Sequence, residues 1–595
     1  MPKTKFLCIV INMKKASDNI DKIRHSLSHL LAIAILEKYP NAKLGIGPTI
    51  ENGFYYDFLL PEKISDSDLP KIQKRIIELI KQNLDFKIKK VTPSEAKKTL
   101  KNQPFKHELI DQLKKDKKDI TLYTTGHIFT DLCAGPHVKN TKEINEEAFS
   151  LQKIAGSYWQ GDEQRAMLTR IYGLAFNTKE ELDLYKQMLI EATKRDHRKL
   201  GQELDLFTFS PLVGSGLPLF TPKGTILRET LQKFVNELQE PLGYQRVTTP
   251  HLTKPELYKV SGHFDKFKED LFHVKGKGNN DNYDIKPMNC PHHTQIFASH
   301  LRSYKELPLR LSEFGVVYRN EKPGELQGLS RVLSITQDDG HVFCSENQIA
   351  SEIINMFKVI KKIYETFQMP LETHLSVHDS KDFSQYLGEK KVWDKSINIL
   401  KKTLKENKTD FTVDEGEAAF YGPKIDFTAS DSLGRKWQVA TIQVDFNMPK
   451  RFELSYIDEK GNKQTPVMIH RAFLGSLERF MSIMIEHFAG AFPIWLSPEQ
   501  IRIISVNDKV STYTDKIKQT LKANNIRVEI DKSNETLGKK IRNAEIAKVP
   551  YTLIIGDKEK QANNISIRSY KKGDLGINNL DDFIKQITED ISKRK

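Results

Sequence analysis

The chain has 595 residues, of which 29% are charged and 38% hydrophobic, and it carries a formal net charge of +14. This length exceeds what a single hydrophobic core supports and predicts three or four domains of an ordinary soluble protein. The N-terminal apolar run, residues 6–11, is too short for a signal peptide or a membrane span, which excludes an exported or membrane-embedded protein.

The cysteine count and the charge balance narrow the setting further. Cys8, Cys133, Cys290 and Cys344 are too few and too scattered for a disulfide framework, so we expect a reducing, cytoplasmic compartment. The excess of basic residues favours a polyanionic partner such as nucleic acid, although a solvated lysine-rich surface would have the same composition.

The first predicted element is a helix, because apolar residues recur at helical spacing between positions 23 and 34, with Ser17 or Asp18 as its cap. His25 and His29 are four residues apart on the face expected to point away from the apolar stripe, so both imidazoles can reach one ligand. Two surface histidines would show the same spacing.

A second pair of candidate ligands lies in the turn Asp-Leu-Cys-Ala-Gly-Pro-His, which begins at Asp131 and contains Cys133 and His137. Together with His25 and His29, this turn offers three imidazoles and one thiol. On chemistry alone the set favours a zinc site.

Residues 177–200 are dense in charge, with apolar residues at helical intervals, and predict a long linker helix. Its basic end suits a position along RNA, and a solvated helix between two domains fits equally well. From Gly201 onward an amphipathic helix over 227–238 precedes a strand that ends at Pro250.

Two apolar runs, 309–318 and 329–336, flank a loop with glycine and proline and predict a hairpin. Arg319 and Glu321 are then expected on one face of the first strand, since side chains alternate with period two. The arginine suits a phosphate and the carboxylate can accept from an exocyclic amine, which outlines a nucleotide site. An Arg-Glu pair on a solvated hairpin is the alternative.

Cys290, His341 and His470 are far apart in sequence, yet one thiolate and two imidazoles are a natural three-ligand zinc set with one position open for substrate. Sequence spacing does not establish that the three converge. After residue 498, apolar strands at 501–506, 526–530 and 551–555 alternate with lysine-rich helices and predict a compact α/β domain that ends in a helix from about Leu580.

Four stretches resemble a known family. Residues 318–341, from Tyr-Arg-Asn-Glu to Gln-Asp-Asp-Gly-His, resemble motif two of the class II aminoacyl-tRNA synthetases, and the part from Gly328 onward resembles the threonyl-tRNA synthetase family in particular. Residues 227–250 and 469–480 resemble motifs one and three of that class. Residues 21–176 resemble the editing domain that threonyl- and alanyl-tRNA synthetases share.

The resemblance implies a multidomain α/β and α+β protein, with a class II catalytic core on an antiparallel sheet, an N-terminal α+β editing domain and a C-terminal α/β anticodon-binding domain. The expected segments are an N-terminal tail (1–20), the editing domain (21–176), the linker helix (177–200), the catalytic domain (201–497) and the anticodon-binding domain (498–595). We expect no ubiquitin-like domain before the editing helix, because only about twenty residues precede His25.

The implied activity is ATP-dependent ligation of L-threonine to tRNA(Thr) through a threonyl-adenylate, by a homodimer that uses Mg²⁺ with ATP. Arg319 would neutralise the α-phosphate and Arg331 the γ-phosphate, while Glu321 and Arg479 would bind the adenosine. Arg319, Arg479 and His263 are the predicted catalytic residues, with His263 near the terminal ribose of tRNA as a proton relay. A plain structural role for this histidine is equally compatible.

The resemblance also implies that Cys290, His341 and His470 hold one zinc ion that takes the amino and hydroxyl groups of threonine. The residues expected to contact threonine are Met288, Gln337, Asp339, Tyr421, Lys424, Gln438 and Gln443. A site that must ligate a hydroxyl rejects valine by about 10⁴ or more, but serine lacks only a methyl, which is worth about 1–3 kcal/mol. Zinc alone therefore cannot exclude serine.

A hydrolytic site is the remedy that this argument requires. The resemblance assigns to the hydrolysis of mischarged seryl-tRNA the side chains His25, His29, Asp131, Cys133 and His137. In the family this hydrolysis needs no metal, so we expect these residues to position substrate and water, with a structural zinc as the alternative.

In the C-terminal domain, Asn534, Glu559 and Arg568 match positions that meet anticodon bases, which side chains of this kind read by hydrogen bonds. Two rival functions remain. One is a catalytically silent RNA-binding paralogue that acts as a regulator, which the retained arginines and zinc candidates disfavour. The other is a free-standing metal-dependent hydrolase, which the intact synthetase pattern disfavours.

The sequence departs from the family at two places. Leu333, Ser334 and Ile335 stand where Arg, Gly and Phe are expected, and the loss of the aromatic stacking face predicts weaker ATP binding. His292 takes the place of a glycine and is expected on the surface.

Overall fold

The structure is a computed structural model that describes residues 18–264, 268–278 and 282–595. The candidate cap Ser17, the apolar run 6–11 and most of the predicted tail lie outside these ranges. The chain divides into two compact units, Met1–Glu191 and Ala192–Lys595. Within the described ranges, no helix is long and apolar enough to cross a membrane.

The N-terminal unit combines helices with two antiparallel sheets. Its elements are α1 (Asp18–Lys38), β1 (Lys43–Leu44), β2 (Thr49–Ile50), β3 (Gly53–Leu59), α2 (Leu69–Ile80), β4 (Phe86–Lys90), α3 (Pro93–Thr99), α4 (Pro104–Lys115), β5 (Thr121–Thr125), β6 (Phe129–Leu132), β7 (Phe149–Tyr158), β8 (Met167–Ala175) and α5 (Lys179–Lys194), the last running across the unit boundary. One sheet has the order β1-β3-β8-β7, with β2 paired to β3, and the other has the order β4-β5-β6.

Helix α1 is the centre of this unit, and it is buried on more sides than its stripe of apolar residues predicts. Leu27, Leu30 and Leu31 are fully buried, and His29 is buried with them at 1% exposure. The prediction that both histidines point away from the core is therefore wrong for His29. Residues 30–35 are all alanine, leucine or isoleucine and all buried, so every face of the helix is apolar there and packs against the rest of the unit.

The predicted linker helix is two helices. Helix α5 ends at Lys194, and α6 (His197–Glu203) begins afresh after Asp196, whose side chain caps it by accepting from the backbone N–H of Arg198. An aspartate in this position satisfies amide groups that a new helix leaves without partners, which explains the break.

The second unit begins with the catalytic-type fold. Its elements are β9 (Phe207–Thr208), β10 (Leu219–Phe220), α7 (Pro222–Gln239), β11 (Gln245–Arg246), β12 (Leu252–Thr253), α8 (Pro255–Ser261), β13 (His273–Lys275), β14 (Asn282–Ile285), α9 (Cys290–Ala298), β15 (Arg302–Ser303), β16 (Leu309–Tyr318), β17 (Ser334–Cys344), α10 (Ile349–Thr366), β18 (Leu371–Val377), α11 (Lys390–Glu406), β19 (Thr412–Glu415), β20 (Lys424–Ser430), β21 (Lys436–Asp445), α12 (Asn447–Arg451), β22 (Tyr456–Ile457), β23 (Lys463–Gln464), β24 (Val467–Ala472) and α13 (Leu477–His487). An eight-stranded sheet has the order β11-β16-β17-β24-β21-β20-β18-β19 and is antiparallel except at its two ends. This sheet confirms the predicted antiparallel core.

The predicted hairpin needs two corrections. The first strand runs over Leu309–Tyr318 as expected, but Arg319 and Glu321 lie beyond its end, so they do not share a strand face. The returning strand begins at Ser334, because residues 327–331 fold back on themselves through a bridge between Gln327 and Arg331.

The C-terminal part has a five-stranded mixed sheet, as its alternating pattern predicts. Its elements are β25 (Ile501–Ser505), α14 (Ser511–Ala523), β26 (Val528–Asp531), α15 (Leu537–Ile546), β27 (Tyr551–Ile555), α16 (Asp557–Ala562), β28 (Ile565–Ser569), β29 (Gly573–Asn578) and α17 (Leu580–Ser592). The order is β26-β25-β27-β28-β29, parallel in the first three strands and antiparallel in the last two.

Candidate functional site

The pleat of the eight-stranded sheet selects which side chains face one cavity. On β17, Val342 and Cys344 enter the main hydrophobic core, so the alternate residues, His341 among them, face the opposite side. On β21, Ile442 and Val444 enter that core, which turns Gln443 the other way. His470 on β24 lies between them, because it pairs in register with both His341 and Gln443.

Cys290 joins this row from the N-terminus of α9. Its Sγ and one ring nitrogen each of His341 and His470 lie within 4.8 Å of one another, and all three side chains are buried. We call these three residues the core cluster. A thiol at a helix N-terminus is favoured in its thiolate form, and one thiolate with two imidazoles is a donor set that zinc prefers.

Hydrogen bonds around the core cluster orient its rings. Nδ1 of His341 lies 2.7 Å from Nδ1 of His293, and Nε2 of His293 lies 3.2 Å from Oε1 of Glu313. Nε2 of His470 lies 3.1 Å from Oδ2 of Asp445. His341 and His470 thus each have one ring nitrogen in a hydrogen bond and the other available to a metal, which is the usual arrangement of metal-bound imidazoles.

Burial sets the protonation of the core cluster in the absence of a metal ion. It lowers the pKa of His341 well below the usual value and raises the pKa of the Cys290 thiol well above it. The imidazole is therefore neutral, as a ligand must be. The thiol is protonated and would lose its proton only when a cation binds to the sulfur. The residues fit a zinc ion, whose binding would release that proton.

The cavity in front of the core cluster has a volume of about 90 Å³. Its lining consists of Met288, Cys290, Gln337, Asp339, His341, Tyr421, Thr441, Gln443, His470, Arg471 and Ala472. The sequence-predicted residues Lys424 and Gln438 are not among them: Lys424 pairs with Asp426 at 2.7 Å, and Gln438 is exposed.

Asp339 and Gln337 supply polar atoms to this cavity. Asp339 lies 3.6 Å from Nε2 of His341 and accepts from Nδ2 of Asn289 at 3.1 Å. Oε1 of Gln337 is buried and has no hydrogen-bond partner within the described ranges, so it is available to a substrate donor. Burial raises the pKa of Asp339.

His263 and His292 lie close to this site. Nε2 of His263 is 3.8 Å from Sγ of Cys290, and burial lowers the pKa of His263 to about 3. His292 was expected on the surface, and this expectation is wrong: only 7% is exposed, and among the described residues neither ring nitrogen has a hydrogen-bond partner.

The predicted nucleotide residues lie on the loop after β16 and at the start of α13. Nη2 of Arg319 contacts Sδ of Met288 at 3.2 Å, which brings it to the edge of the cavity. Arg331 forms ion pairs with Glu321 and Glu325 at 2.6 and 2.8 Å. Arg479 is exposed and forms no ion pair within the part of the chain that the structure describes.

A second cluster forms in the N-terminal unit, where His25, His29, Cys133 and His137 have donor atoms within 4.8 Å of one another. We call these four residues the N-terminal cluster. Sγ of Cys133 lies 3.3 Å from Nε2 of His25 and 3.2 Å from Nε2 of His137. The rings of His25 and His137 stack with their centroids 4.2 Å apart.

Asp131, predicted for the same site, has other partners. Its carboxylate forms a buried ion pair with Lys106 at 2.7 Å and accepts from the hydroxyl of Tyr56. Burial raises the pKa of Cys133 to about 12 and lowers the pKa of His25, His29 and His137. The cluster therefore presents a neutral thiol and neutral imidazoles at pH 7.

The predicted anticodon residues all lie in the C-terminal part. Asn534 is exposed in the loop between β26 and α15. Glu559 accepts from the backbone N–H of Gly556 at the start of α16, and Arg568 on β28 pairs with Glu545 at 3.0 Å.

Sequence reasoning missed His293, Glu313 and Asp445, which orient the ligands of the core cluster. His293 stands in the Pro-His-His string next to the predicted ligand Cys290, and this proximity was the only signal available. Glu313 and Asp445 read as ordinary strand residues, since only the folded sheet brings them beside the histidines.

Comparisons with known proteins agree with this architecture. A family model described as tRNA synthetase class II core domain (G, H, P, S and T) matches residues 272–488, one described as anticodon binding domain matches residues 500–590, and one described as threonyl and alanyl tRNA synthetase second additional domain matches residues 120–172. Fold and site together define a class II aminoacyl-tRNA synthetase.

Individual relatives narrow this class. The chain is 45% identical over 594 residues to a threonine–tRNA ligase of Synechococcus elongatus, with 98% of each chain covered, and 45% identical over 574 residues to one of Clostridium tetani, with 96% of this chain and 88% of that protein covered. A crystal structure of the RNA binding domain of threonyl-tRNA synthetase from Cryptosporidium parvum is 35% identical, with a TM-score of 0.63 over 66% of this chain and 98% of that chain. The chain belongs to the threonine–tRNA ligase family.

Proposed function

We propose that this chain activates L-threonine with ATP, transfers it to tRNA(Thr), and hydrolyses seryl-tRNA(Thr) at the N-terminal cluster. The observation that carries the proposal is a single polar cavity in which the core cluster meets Asp339 and Gln443. A small amino acid with a hydroxyl group suits a volume of about 90 Å³ lined by such groups.

The core cluster is proposed to hold one zinc ion through Cys290, His341 and His470. Bound there, the ion would supply a Lewis acid for the amino and hydroxyl groups of threonine. Asp339 would accept from the substrate hydroxyl, and the free Oε1 of Gln337 would accept from the substrate amine. Valine offers no hydroxyl to this arrangement and is rejected.

Activation is proposed to proceed by direct displacement at phosphorus, with Mg²⁺ bound to the ATP phosphates. A carboxylate oxygen of threonine attacks the α-phosphorus, the bond to the bridging oxygen of the β-phosphate breaks, and pyrophosphate leaves. Arg319 would stabilise the charge on the α-phosphate. Arg331 would exchange Glu321 and Glu325 for the γ-phosphate, while Arg479, which is exposed, would lie against the adenine.

Transfer to tRNA requires a proton acceptor for the ribose hydroxyl that attacks the adenylate. His263 is a candidate because its Nε2 lies 3.8 Å from Sγ of Cys290, close to the core cluster. Burial lowers its pKa to about 3, so the ring is neutral at pH 7 but a weak base unless the bound tRNA raises that pKa. The ribose oxygen bonds to the threonyl carbonyl carbon and AMP leaves.

Editing is proposed to use the N-terminal cluster without a metal ion. Water adds to the ester carbonyl of seryl-tRNA, and the ribose hydroxyl leaves with a proton. The neutral imidazoles of His25 and His137 can orient the attacking water by hydrogen bonds, whereas their lowered pKa makes them weak bases. Cys133 positions rather than attacks, because a thiol with a pKa of about 12 is not ionised at pH 7.

The proposed partners are tRNA(Thr), ATP and L-threonine, with a second copy of the chain in a homodimer, and the proposed location is the cytoplasm. Asn534, Glu559 and Arg568 are proposed to contact the anticodon. The net charge of +14 supports a polyanionic partner such as tRNA.

The test is ATP–pyrophosphate exchange with threonine, serine and valine, on native and zinc-stripped protein. We expect exchange with threonine, weaker exchange with serine, none with valine, and loss on stripping. Absence of exchange with every amino acid at high ATP would instead favour a silent RNA-binding paralogue.

A further inference from the structure

A buried histidine outside both clusters contacts the loop that carries Arg331. His197 is the first residue of α6 and is 3% exposed. Its Nδ1 lies 2.7 Å from Oε1 of Glu486, and the backbone N–H of Leu329 donates to its Nε2 at 3.1 Å.

These two contacts fix where His197 carries its proton. A carboxylate can only accept and a backbone amide can only donate, so Nδ1 must hold the proton and Nε2 must offer a lone pair. Glu486 is held in turn by Arg435, whose Nη1 lies 2.7 Å from Oε2. The ring is thus locked in the one tautomer that can accept from Leu329.

The loop is fixed on both sides of this contact. Gly328 has a φ of +51°, and a Cβ there would lie 2.3 Å from Nε2 of His197, so only glycine fits. Leu329 is fully buried in the main core, and Oγ of Ser330 lies 3.1 Å from Oγ of Ser482 on α13. The chain then reaches Arg331 one residue later.

We propose that His197 is a positioning residue for ATP, which accepts from the Leu329 N–H and so fixes the direction in which the loop presents Arg331 to the γ-phosphate. The inference rests on the proposed function. His197 lies just after α5, which ends at Lys194, and therefore just before the catalytic part of the chain. The residue proposed to hold the loop of Arg331 thus comes from the segment that precedes the catalytic sheet.

Two substitutions separate the accepting nitrogen from the donating one. In His197→Gln the side-chain amide reaches the place of Nε2, so its oxygen can accept from Leu329 while the bond to Glu486 is lost. In His197→Asn the amide reaches only the place of Nδ1, so it can donate to Glu486 and leaves the Leu329 N–H without a partner.

We expect His197→Asn to raise the KM for ATP in threonine-dependent pyrophosphate exchange by about tenfold, the size typical of one unsatisfied buried amide. The KM for threonine should stay unchanged, and His197→Gln should restore the KM for ATP. Hydrogen exchange should show faster exchange of the peptide 326–333 in His197→Asn alone. His374→Asn is the matched control. His374 lies on β18 and pairs with Asp414 on β19, away from the loop of Arg331.

The outcomes separate the inference from the proposed function. Equal rises in both KM values, a milder defect in His197→Asn than in His197→Gln, or unchanged kinetics in both would overturn the role of His197 while native protein still performs exchange. If native protein performs no exchange, the proposed function fails, and the hydrogen-exchange pattern of the loop remains a direct readout of the Leu329 contact.

Discussion

The core cluster and the N-terminal cluster contain the same kinds of donor atom, but their surroundings differ. In the core cluster, acidic groups and His293 bind the outer nitrogens of the rings: Asp445 lies beside His470, and Glu313 acts on His341 through His293. In the N-terminal cluster no acidic group binds a ring within the described ranges: Cys133 lies between His25 and His137, Oγ of Ser26 lies 3.1 Å from Nδ1 of His137, and Nδ1 of His29 has no hydrogen-bond partner there.

The charge around the two clusters differs in the same sense. Asp339 and Asp445 lie beside the histidines of the core cluster, where they would compensate the charge of a divalent cation. In the N-terminal unit the corresponding carboxylate, Asp131, is neutralised by Lys106 and hydrogen-bonded to Tyr56. The surroundings of the two clusters, rather than their donor atoms, thus favour zinc at the core cluster.

The largest effect expected from this comparison is the loss of zinc from one cluster only. Cys290→Ser should abolish the bound metal and lower threonine-dependent pyrophosphate exchange by about 10⁴, the loss typical of a site that can no longer bind the substrate hydroxyl. Cys133→Ser should leave the metal content and the exchange rate unchanged. Metal analysis and exchange assays on the purified variants measure both.

The number of zinc ions per chain tests directly whether only the core cluster binds metal. We expect about one zinc per native chain, bound at the core cluster. Two per chain, of which Cys133→Ser loses one, would mean that the mutual contacts of the N-terminal cluster do not exclude a metal.

The second effect concerns hydrolysis. His137→Ala should slow the deacylation of seryl-tRNA(Thr) by about 10² or more, as expected when a group that positions the attacking water is lost, while threonine-dependent exchange is unaffected. His107→Ala is the control, because this histidine belongs to the same unit but lies outside the N-terminal cluster, with its Nε2 3.0 Å from the Leu100 carbonyl. Deacylation at the native rate in His137→Ala, or deacylation that stops when a chelator is added, would contradict the metal-free assignment.

A third prediction tests whether the second layer around the core cluster matters. His293→Phe removes the contact between His341 and Glu313 and should weaken zinc binding by about 10- to 100-fold, as measured by competition with a chromogenic chelator. His292→Gly is the adjacent control and should leave zinc affinity unchanged, since within the described ranges its ring nitrogens bind nothing. Equal affinities in both variants would show that His293 does not orient the ligand.

The sequence predicts the parts of this picture that depend on local pattern. A run rich in apolar residues beside a loop with glycine and proline predicts Leu309–Tyr318 as a strand, which the structure confirms. The start of the returning strand at Ser334 is not predictable in this way, because Leu333 is held by the distant carbonyl of Gly216 and Leu329 by His197. His293 was missed for the same reason, since its partners are 20 and 48 residues away.

Acid should destabilise the N-terminal unit, because burial holds the pKa of His29 well below its usual value. In the unfolded chain a histidine binds a proton near pH 6.5, whereas His29 in the folded unit stays neutral, so acid favours unfolding. The N-terminal unit should thus lose about 1.4 kcal/mol of stability per pH unit for this histidine below pH 6.5, and nothing above it.

Hydrogen exchange of α1 at pH 7 and pH 5, corrected for the intrinsic rate, measures this loss. His29→Phe should reduce the difference between the two pH values. If the native protein and this variant respond to acid equally, the buried neutral histidine is not the cause.

The smallest expected effect comes from substituting Ile335, which belongs to neither cluster. It shows how far ATP binding depends on residues outside the two clusters. Ile335 lies on β17 opposite Val317 and is half-buried. Ile335→Phe should lower the KM for ATP by about fivefold, the low end of the about 1–3 kcal/mol that stacking of an aromatic ring on a base is worth. Ile335→Leu keeps the size without the ring and should leave the KM unchanged. A KM that does not fall in Ile335→Phe, with zinc content at the native level, would mean that the departure from the family at this position does not limit ATP binding, and that the adenine is held by other groups, such as Arg479.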